Sequence, residues 1–246
     1  MNNPIDIEVE FDRCIGNIGG LRVDKLPDAS TNSANADYIF EDYEVIAELK
    51  CLQDNKLNDR ELNKKLQKLH QKWTAQGYRI PITNDGFRAT MQGLNQKQSR
   101  EVLNVYAKPI KKVITKANKQ IKETRKTLNK EHYKGVLLLA NDGNYALDPE
   151  HIYHILSIAM RDSYSGINAV IFFTVNMPGN ADFTNVDTLV WSNLNRPNIE
   201  PVENQFFEAL QNTWMRHMEL LTNSEIPGII LKNESDLSRI RNKQNA

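Results

Sequence analysis

Cysteine is scarce in this chain: 246 residues contain two, Cys14 and Cys51. Two thiols cannot make a disulfide framework, and they fit a cytoplasmic protein with free cysteines. No apolar run approaches the roughly 20 residues that cross a bilayer, so no membrane partner is expected. Residues 1–4 show no basic segment leading into an apolar core, and a secretory signal is not expected there. The chain also lacks a G-x-x-x-x-G-K-[ST] phosphate loop, and residues 16–20 (GNIGG) do not spell a dinucleotide fingerprint. No G-x-S-x-G elbow surrounds Ser163 or Ser165, and neither cysteine has a zinc-type partner spacing. No internal repeat is present.

Net charge is missing as well, but only on average: 31 Lys and Arg balance 31 Asp and Glu. Residues 1–54 hold twelve acids against four bases, a net of −8. Residues 97–134 hold twelve bases against three acids, a net of +9. Such separation suits a protein that holds a cation at one place and a polyanion at another; a solvated lysine-rich helix face is the plainer alternative. A hydrophobic share of 40% and a charged share of 25% describe an ordinary soluble globular protein. The length suffices for one large domain or a core with an elaborate insertion.

Residues 5–12 alternate Ile5, Ile7, Val9 and Phe11 with Asp6, Glu8, Glu10 and Asp12, the period of a half-exposed strand. Pro4 behind Asn3 offers a short helix instead. Residues 21–23 follow a glycine-rich break as a short strand, and 27–35 form a polar loop. Leu62, Leu66, Leu69 and Trp73 recur at helical spacing, and residues 77–86 are a loop. From Ser99 a long helical pattern carries Val102, Val105, Ile110, Val113, Ile114, Ala117, Ile121 and Leu128, with Pro109 expected to kink or restart it. Residues 135–140 (GVLLLA) and 167–175 (INAVIFFTV) are apolar runs typical of strands buried on both faces. Between them Asp148 and Pro149 mark the N-cap and first position of a helix reaching about residue 161. Residues 187–192 suggest one more strand. Residues 203–221 suggest a helix with Phe206, Phe207, Leu210, Trp214 and Met218 on its apolar side. Strand, helix and strand over 135–175 predict a parallel βαβ unit. The expected fold is α/β: a mixed β-sheet flanked by helices on both faces. Residues 1–52 and 132–231 would form this core, 53–131 a helical insertion or arm, and 232–246 a frayed polar tail.

Residues 36–52 (ADYIFEDYEVIAELKCL) are the most telling segment. They read as two apolar strands joined by a four-residue acidic loop, 41–44. That loop sets Phe40 opposite Val45, Ile39 opposite Ile46, Tyr38 opposite Ala47, and Asp37 opposite Glu48. Alternation puts Ile46, Glu48, Lys50 and Leu52 on one face. Directly opposed Cβ atoms lie roughly 4.5–5.5 Å apart, where like charges repel. A shared divalent cation would resolve that repulsion. Asp37 and Glu48 offer the hard oxygen ligands Mg²⁺ takes, and the Leu49 carbonyl a further one; the ion also binds phosphate oxygens. Lys50 is placed to orient or deprotonate a metal-bound water, or to stabilise charge on a scissile phosphate. These are the parts of metal-assisted phosphodiester hydrolysis. The plainer reading is a surface hairpin with a Glu–Lys pair on its wet face, but Ile46 and Leu52 share that face.

Asp37 followed by Glu48-Leu49-Lys50 on an apolar strand resembles the signature of the PD-(D/E)xK nuclease superfamily, the restriction-endonuclease-like fold. The resemblance covers roughly residues 8–52, and the 135–175 unit is consistent with the rest of that core. It implies a mixed four- or five-stranded sheet between helices and a nuclease dependent on Mg²⁺, with Mn²⁺ as a substitute. It further implies metal ligands at Asp37 and Glu48 and a catalytic Lys50. The family often adds an acid from an early helix, which implies Glu10, with Glu8 in reserve. Ala36 stands where the family name has Pro, a position that varies within the superfamily. The large helical stretch between core elements is a greater departure and leaves substrate and subfamily open. Asp54-Asn55-Lys56 repeats the acid-x-Lys spacing in a polar stretch, without the strand context.

Lys108, Lys111, Lys112, Lys116, Lys119, Lys122, Arg125 and Lys126 would meet phosphates without reading sequence. No base-reading motif accompanies them. The Val/Ile stripe of the same segment offers a homodimer contact instead. His151 and His154 beside Glu150 could hold a metal from one helix face, but Glu150 also serves the helix N-terminus and the histidines read equally as ordinary residues. The expected function is therefore a metal-dependent endonuclease acting on DNA. The alternatives are a nuclease acting on RNA and a non-catalytic nucleic-acid- or protein-binding protein of the same fold.

Overall fold

The computed structural model describes residues 4–27, 35–53, 60–78, 93–144, 148–161, 164–176, 179–181, 187–226 and 240–242. The alternating segment near the start is a helix, not a strand: α1 spans Ile7–Ile15. Asp6 caps it, its side chain accepting from the Val9 N–H at 3.2 Å. Ile7, Phe11, Cys14 and Ile15 fall at helical spacing and are buried, whereas Val9 stays 42% exposed. Ile7 and Phe11 fit both periods, whereas Arg13 and Cys14 break the alternation and fit only the helix.

The chain continues through β1 (Gly20–Arg22), β2 (Tyr38–Phe40), β3 (Val45–Leu52), α2 (Arg60–Ala75) and α3 (Gln96–Thr127). Then come β4 (Lys134–Asp142), α4 (Pro149–Ala159), β5 (Ala169–Val175), β6 (Gly179–Ala181), β7 (Asp187–Thr188), β8 (Trp191–Asn195), α5 (Asn204–Thr222) and β9 (Ile240–Asn242). Six strands form one mixed sheet in the order β1-β2-β3-β4-β5-β8. β2 runs antiparallel to both its neighbours β1 and β3, β4 and β5 run parallel to β3, and β8 closes the edge antiparallel to β5. The fold is α/β. Helices α1 and α5 cover one face, with Phe11, Phe206 and Trp214 packed over Tyr38, Leu138 and Phe173. Helices α2, α3 and α4 cover the other, with Trp73, Ile114, Ile121 and Ile152 over Ile39, Ile46, Leu137 and Phe172. Between these layers Val136, Leu137, Leu138, Leu139 and Ala140 retain no exposed surface, which is why β4 reads as one unbroken apolar run.

Three expectations change. The strand over 187–192 is two strands: β7 pairs with β6, and β8 runs on to Asn195 against β5. Of the expected frayed tail, residues 240–242 form β9, which pairs with β6. Of the kink or restart expected at Pro109, the restart does not occur: helix α3 runs through Pro109 as one 32-residue element. It belongs to the core wall, lying along β3 and β4, and its Val/Ile stripe is buried there, with Val102, Ile110, Ile114 and Ile121 at most 2% exposed. Of the loops expected over 27–35 and 77–86, residues 28–34 and 79–86 lie outside the described residues.

Two glycines let α3 approach the sheet. A Cβ on Gly135 would overlap the Gly166 carbonyl oxygen and stand 2.7 Å from Ile121; one on Gly166 would stand 2.6 Å from Lys122. Hydrogen bonds fix the approach: the Gly166 N–H donates to Asn118 Oδ1 at 2.7 Å, and Arg125 to Asn168 Oδ1 at 2.8 Å. The Gly135 N–H shares that Asn168 oxygen at 3.0 Å. Gly135→Ala is therefore expected to destabilise the protein by about 3 kcal/mol through overpacking. Thermal melting would register this as a fall in Tm of roughly 10 °C for a chain of this size.

Candidate active site

The hairpin forms in the expected register: Phe40 faces Val45, Ile39 faces Ile46, and Tyr38 faces Ala47. Residues Glu41–Tyr43 make a single helical turn, and Glu44 closes it in the left-handed region at φ 50°. Glu41 accepts from Lys130 Nζ at 2.7 Å, and Glu44 O accepts from the Lys134 N–H at 2.7 Å. These bonds tie the hairpin tip to the start of β4.

Ladder pairing of β2 ends at Tyr38, and the next residue back is Asp37. Its carbonyl accepts from the Val23 N–H at 2.9 Å, and its side-chain Oδ2 accepts from the Leu49 N–H at 2.8 Å. Asp37 thus substitutes its carboxylate for the missing strand partner. The N–H and C=O of one strand residue leave the same edge, so the Leu49 carbonyl points to that same gap. Across it stands Glu48, with no exposed surface. One Glu48 oxygen is paired with Lys50 Nζ; the other, Oε2, is buried without a hydrogen-bond partner. The Lys50 side chain keeps 19% exposure and is the outward member of the group.

Burial pushes the Glu48 carboxyl up to about 8, the Asp37 charge adds to the rise, and Lys50 opposes it. Burial also raises Asp37, against the pull of the Leu49 N–H and the Lys50 ammonium. Of the two, Glu48 holds the proton: it is wholly buried, while Asp37 has a backbone donor stabilising its charge. The two carboxyl groups thus lie within hydrogen-bond reach of each other beside Lys50, and a divalent cation between their oxygens would take the place of the proton. The unpartnered Oε2, the Asp37 carboxylate and the Leu49 carbonyl are hard oxygen donors of the type Mg²⁺ and Mn²⁺ take. Among the described residues, no group of three or more His, Cys, Asp or Glu side chains is placed to hold a metal ion, His151 and His154 included.

The early acid, Glu10, is engaged elsewhere. Its carboxylate accepts from Arg13 at 2.6 Å and meets His217 Nε2 at 2.9 Å, where α1 packs on α5. That is the opposite sheet face from Glu48. Of the two α1 acids it is exposed Glu8 whose charge reaches the end of β3: it helps burial hold the Cys51 thiol at about 12, together with Asp142. Asp142 is fixed by Asn176, which donates to it at 2.8 Å and also binds the Ile5 backbone.

On α3, exposed Lys108, Lys112, Lys116, Lys119, Lys122 and Lys126 line the outer face, and Lys111 is half-buried. Arg125 is withdrawn: it is half-buried on Asn168, with burial lowering its pKa. A groove of about 1190 Å³ between α3, α4 and β8 is lined by Arg100, His151, Tyr153, His154 and Arg161. Asp37, Glu48 and Lys50 do not line it. The inner face of α3 holds residues that sequence reasoning passes over. Thr124 Oγ1 accepts from the Ala36 N–H at 2.7 Å, and Gln120 Nε2 donates to the Asn35 carbonyl at 2.9 Å. Their signal is a pair of polar residues set four apart on an otherwise apolar helix face, beside Ala117 and Ile121.

No family model, curated protein or solved structure matches this chain. Among the described residues, no helix is long and apolar enough to cross a membrane.

Proposed function

We propose that this protein is a Mg²⁺-dependent nuclease that hydrolyses phosphodiester bonds in DNA, built on a restriction-endonuclease-like fold. The observation that carries this reading is Glu48: wholly buried, opposite Asp37, joined to Lys50, with one carboxylate oxygen lacking a partner. The element order supports it too, because a helix, three antiparallel strands and a helix-linked parallel strand build a mixed sheet between helices. Six strands extend that sheet beyond the four or five the resemblance implies.

Asp37 and Glu48 would hold the ion, with the Leu49 carbonyl as a third donor. A bound Mg²⁺ supplies Lewis-acid polarisation of the phosphodiester and a more acidic water. Asp37 is held in place beforehand by the Leu49 N–H, so its charge needs no reorganisation when substrate arrives. Lys50, the outward residue, offers its ammonium to charge developing on the phosphoryl oxygens and hydrogen-bonds the attacking water. Neither α1 acid joins the group: the charge of Glu8 reaches Cys51 on the α1 side of the sheet, and Glu10 stays with Arg13 and His217.

The outer lysines of α3 would hold the phosphate backbone. Replacing Lys116, Lys119 and Lys126 together by Ala should reduce the slope of log K against log salt by about 3, roughly 0.9 for each phosphate no longer neutralised. Arg125→Ala should leave that slope unchanged and lower Tm instead, since the Arg125 guanidinium is held by Asn168. Fluorescence anisotropy with duplex DNA in EDTA measures the slope, and thermal melting the loss of stability. The activity itself is tested with supercoiled plasmid and Mg²⁺ or Mn²⁺ against an EDTA control, beside a structured RNA. Nicking that needs metal supports the reading; duplex binding with no cleavage under either metal would point to the non-catalytic alternative.

A further inference from the structure

We infer that Thr124 and Gln120 are positioning residues for the metal ligand Asp37, so that helix α3, not the hairpin alone, sets the geometry of the cation site. This inference rests on the nuclease reading above. The parallel ladder fixes Glu48 and Lys50 through eight consecutive pairs between β3 and β4. Asp37 has no ladder pair, because β2 begins one residue after it; its own bonds are the Val23 N–H on its carbonyl and the Leu49 N–H on its carboxylate. What holds its backbone from the helix side is the Ala36 N–H on Thr124 Oγ1 and the Asn35 carbonyl on Gln120 Nε2. Thr124 is fully buried and Gln120 is 8% exposed, so neither bond competes with bulk water.

The helix that makes these bonds is itself immobilised on the sheet. Asn118 accepts from the Gly166 N–H and Arg125 donates to Asn168, both from the side of α3 nearest β5. Gly135 and Gly166 let α3 sit in backbone contact there. A path of direct bonds therefore runs from the 166–168 turn through α3 to residues 35 and 36, and so to the carboxylate of Asp37. A shift of that carboxylate by a fraction of an ångström would change its distance to Glu48, and metal sites are sensitive to the residues that orient their ligands.

Thr124→Val keeps the shape and removes the acceptor; Thr124→Ser keeps the acceptor; Gln120→Leu is the milder second variant should Thr124→Val fold poorly. Two readouts apply: the Mn²⁺ dissociation constant by calorimetry, and hydrogen exchange of the Leu49 amide in metal-free protein, which reports the Leu49–Asp37 bond directly. The expected result is a 10- to 100-fold weaker Mn²⁺ affinity for Thr124→Val and faster Leu49 exchange, with KM for DNA unchanged and Thr124→Ser restoring both. Unchanged Leu49 exchange and unchanged Mn²⁺ affinity in Thr124→Val and Gln120→Leu, with only Tm lowered, would overturn the inference. A wild-type protein that binds no Mn²⁺, while its Leu49 exchange still responds to Thr124→Val, would overturn the nuclease reading and with it the role assigned to these residues at a cation site.

Discussion

Asp37→Asn and Lys50→Ala are each expected to reduce metal-dependent plasmid cleavage by about 10³-fold, with duplex binding in EDTA unaffected. Asp37→Asn is the informative substitution at its position. The amide retains an oxygen for the Leu49 N–H at 2.8 Å, so the turn into β2 survives while the negative charge is lost. Asp37→Ala would leave that N–H without an acceptor, which costs about 1–3 kcal/mol and confuses lost chemistry with lost stability. Lys50→Ala removes the only cation paired with Glu48 among the described residues. If either variant cleaves like the wild type in Mg²⁺, the hairpin is not the catalytic centre. Glu10→Gln serves as the contrast, because Glu10 is bound to Arg13 and His217 on the other side of the sheet and its loss should act on stability.

Glu48→Gln is expected to reshape the dependence of stability on pH in the metal-free protein. Folding lifts the Glu48 carboxyl to about 8 from its ordinary value of 4.5. The folded state therefore binds a proton that the unfolded state releases. The stability this gives is complete below about pH 4.5 and is lost as pH rises through about 8. Relative to Glu48→Gln, which carries no such proton, the wild type should lose about 1.4 kcal/mol per pH unit across that window. Urea unfolding at half-unit steps, wild type beside variant, reads the difference directly. Two parallel curves would mean that Glu48 ionises as an ordinary surface acid. Because a bound cation needs the deprotonated carboxylate, Mg²⁺ should raise the wild-type Tm more at pH 8.5 than at pH 6, and leave Glu48→Gln little changed at either.

The hairpin is legible in the sequence because two local rules fix it. A four-residue loop sets the pairing, and a period of two then assigns every side chain to a face, so the position of Asp37 opposite Glu48 follows from counting. The buried strand β4, the Asp148–Pro149 helix start and the apolar side of α5 are equally local, and the structure holds them at Lys134–Asp142, Pro149–Ala159 and Asn204–Thr222. Helix α1 departs from its expected strand because over seven residues an alternating pattern and a helical one share Ile7 and Phe11. Residues 187–192 read as one strand because nothing local shows that the chain changes sheets between Thr188 and Trp191.

By itself, then, the sequence determined the α/β class, the hairpin register and the face shared by Glu48 and Lys50, since each depends on residues within a few positions of one another. Only the tertiary structure decided the chemistry of that face. Glu48 loses all solvent because α3, far downstream in the chain, closes over the sheet, and that burial is what raises its carboxyl. Glu10 is drawn off by His217 and Arg125 by Asn168, and Asp37 is steadied through its neighbour Ala36 by Thr124, 88 residues beyond Ala36. Such contacts leave no periodicity in the chain. They arise when layers pack, and packing distances, not spacing along the backbone, determine which charges meet.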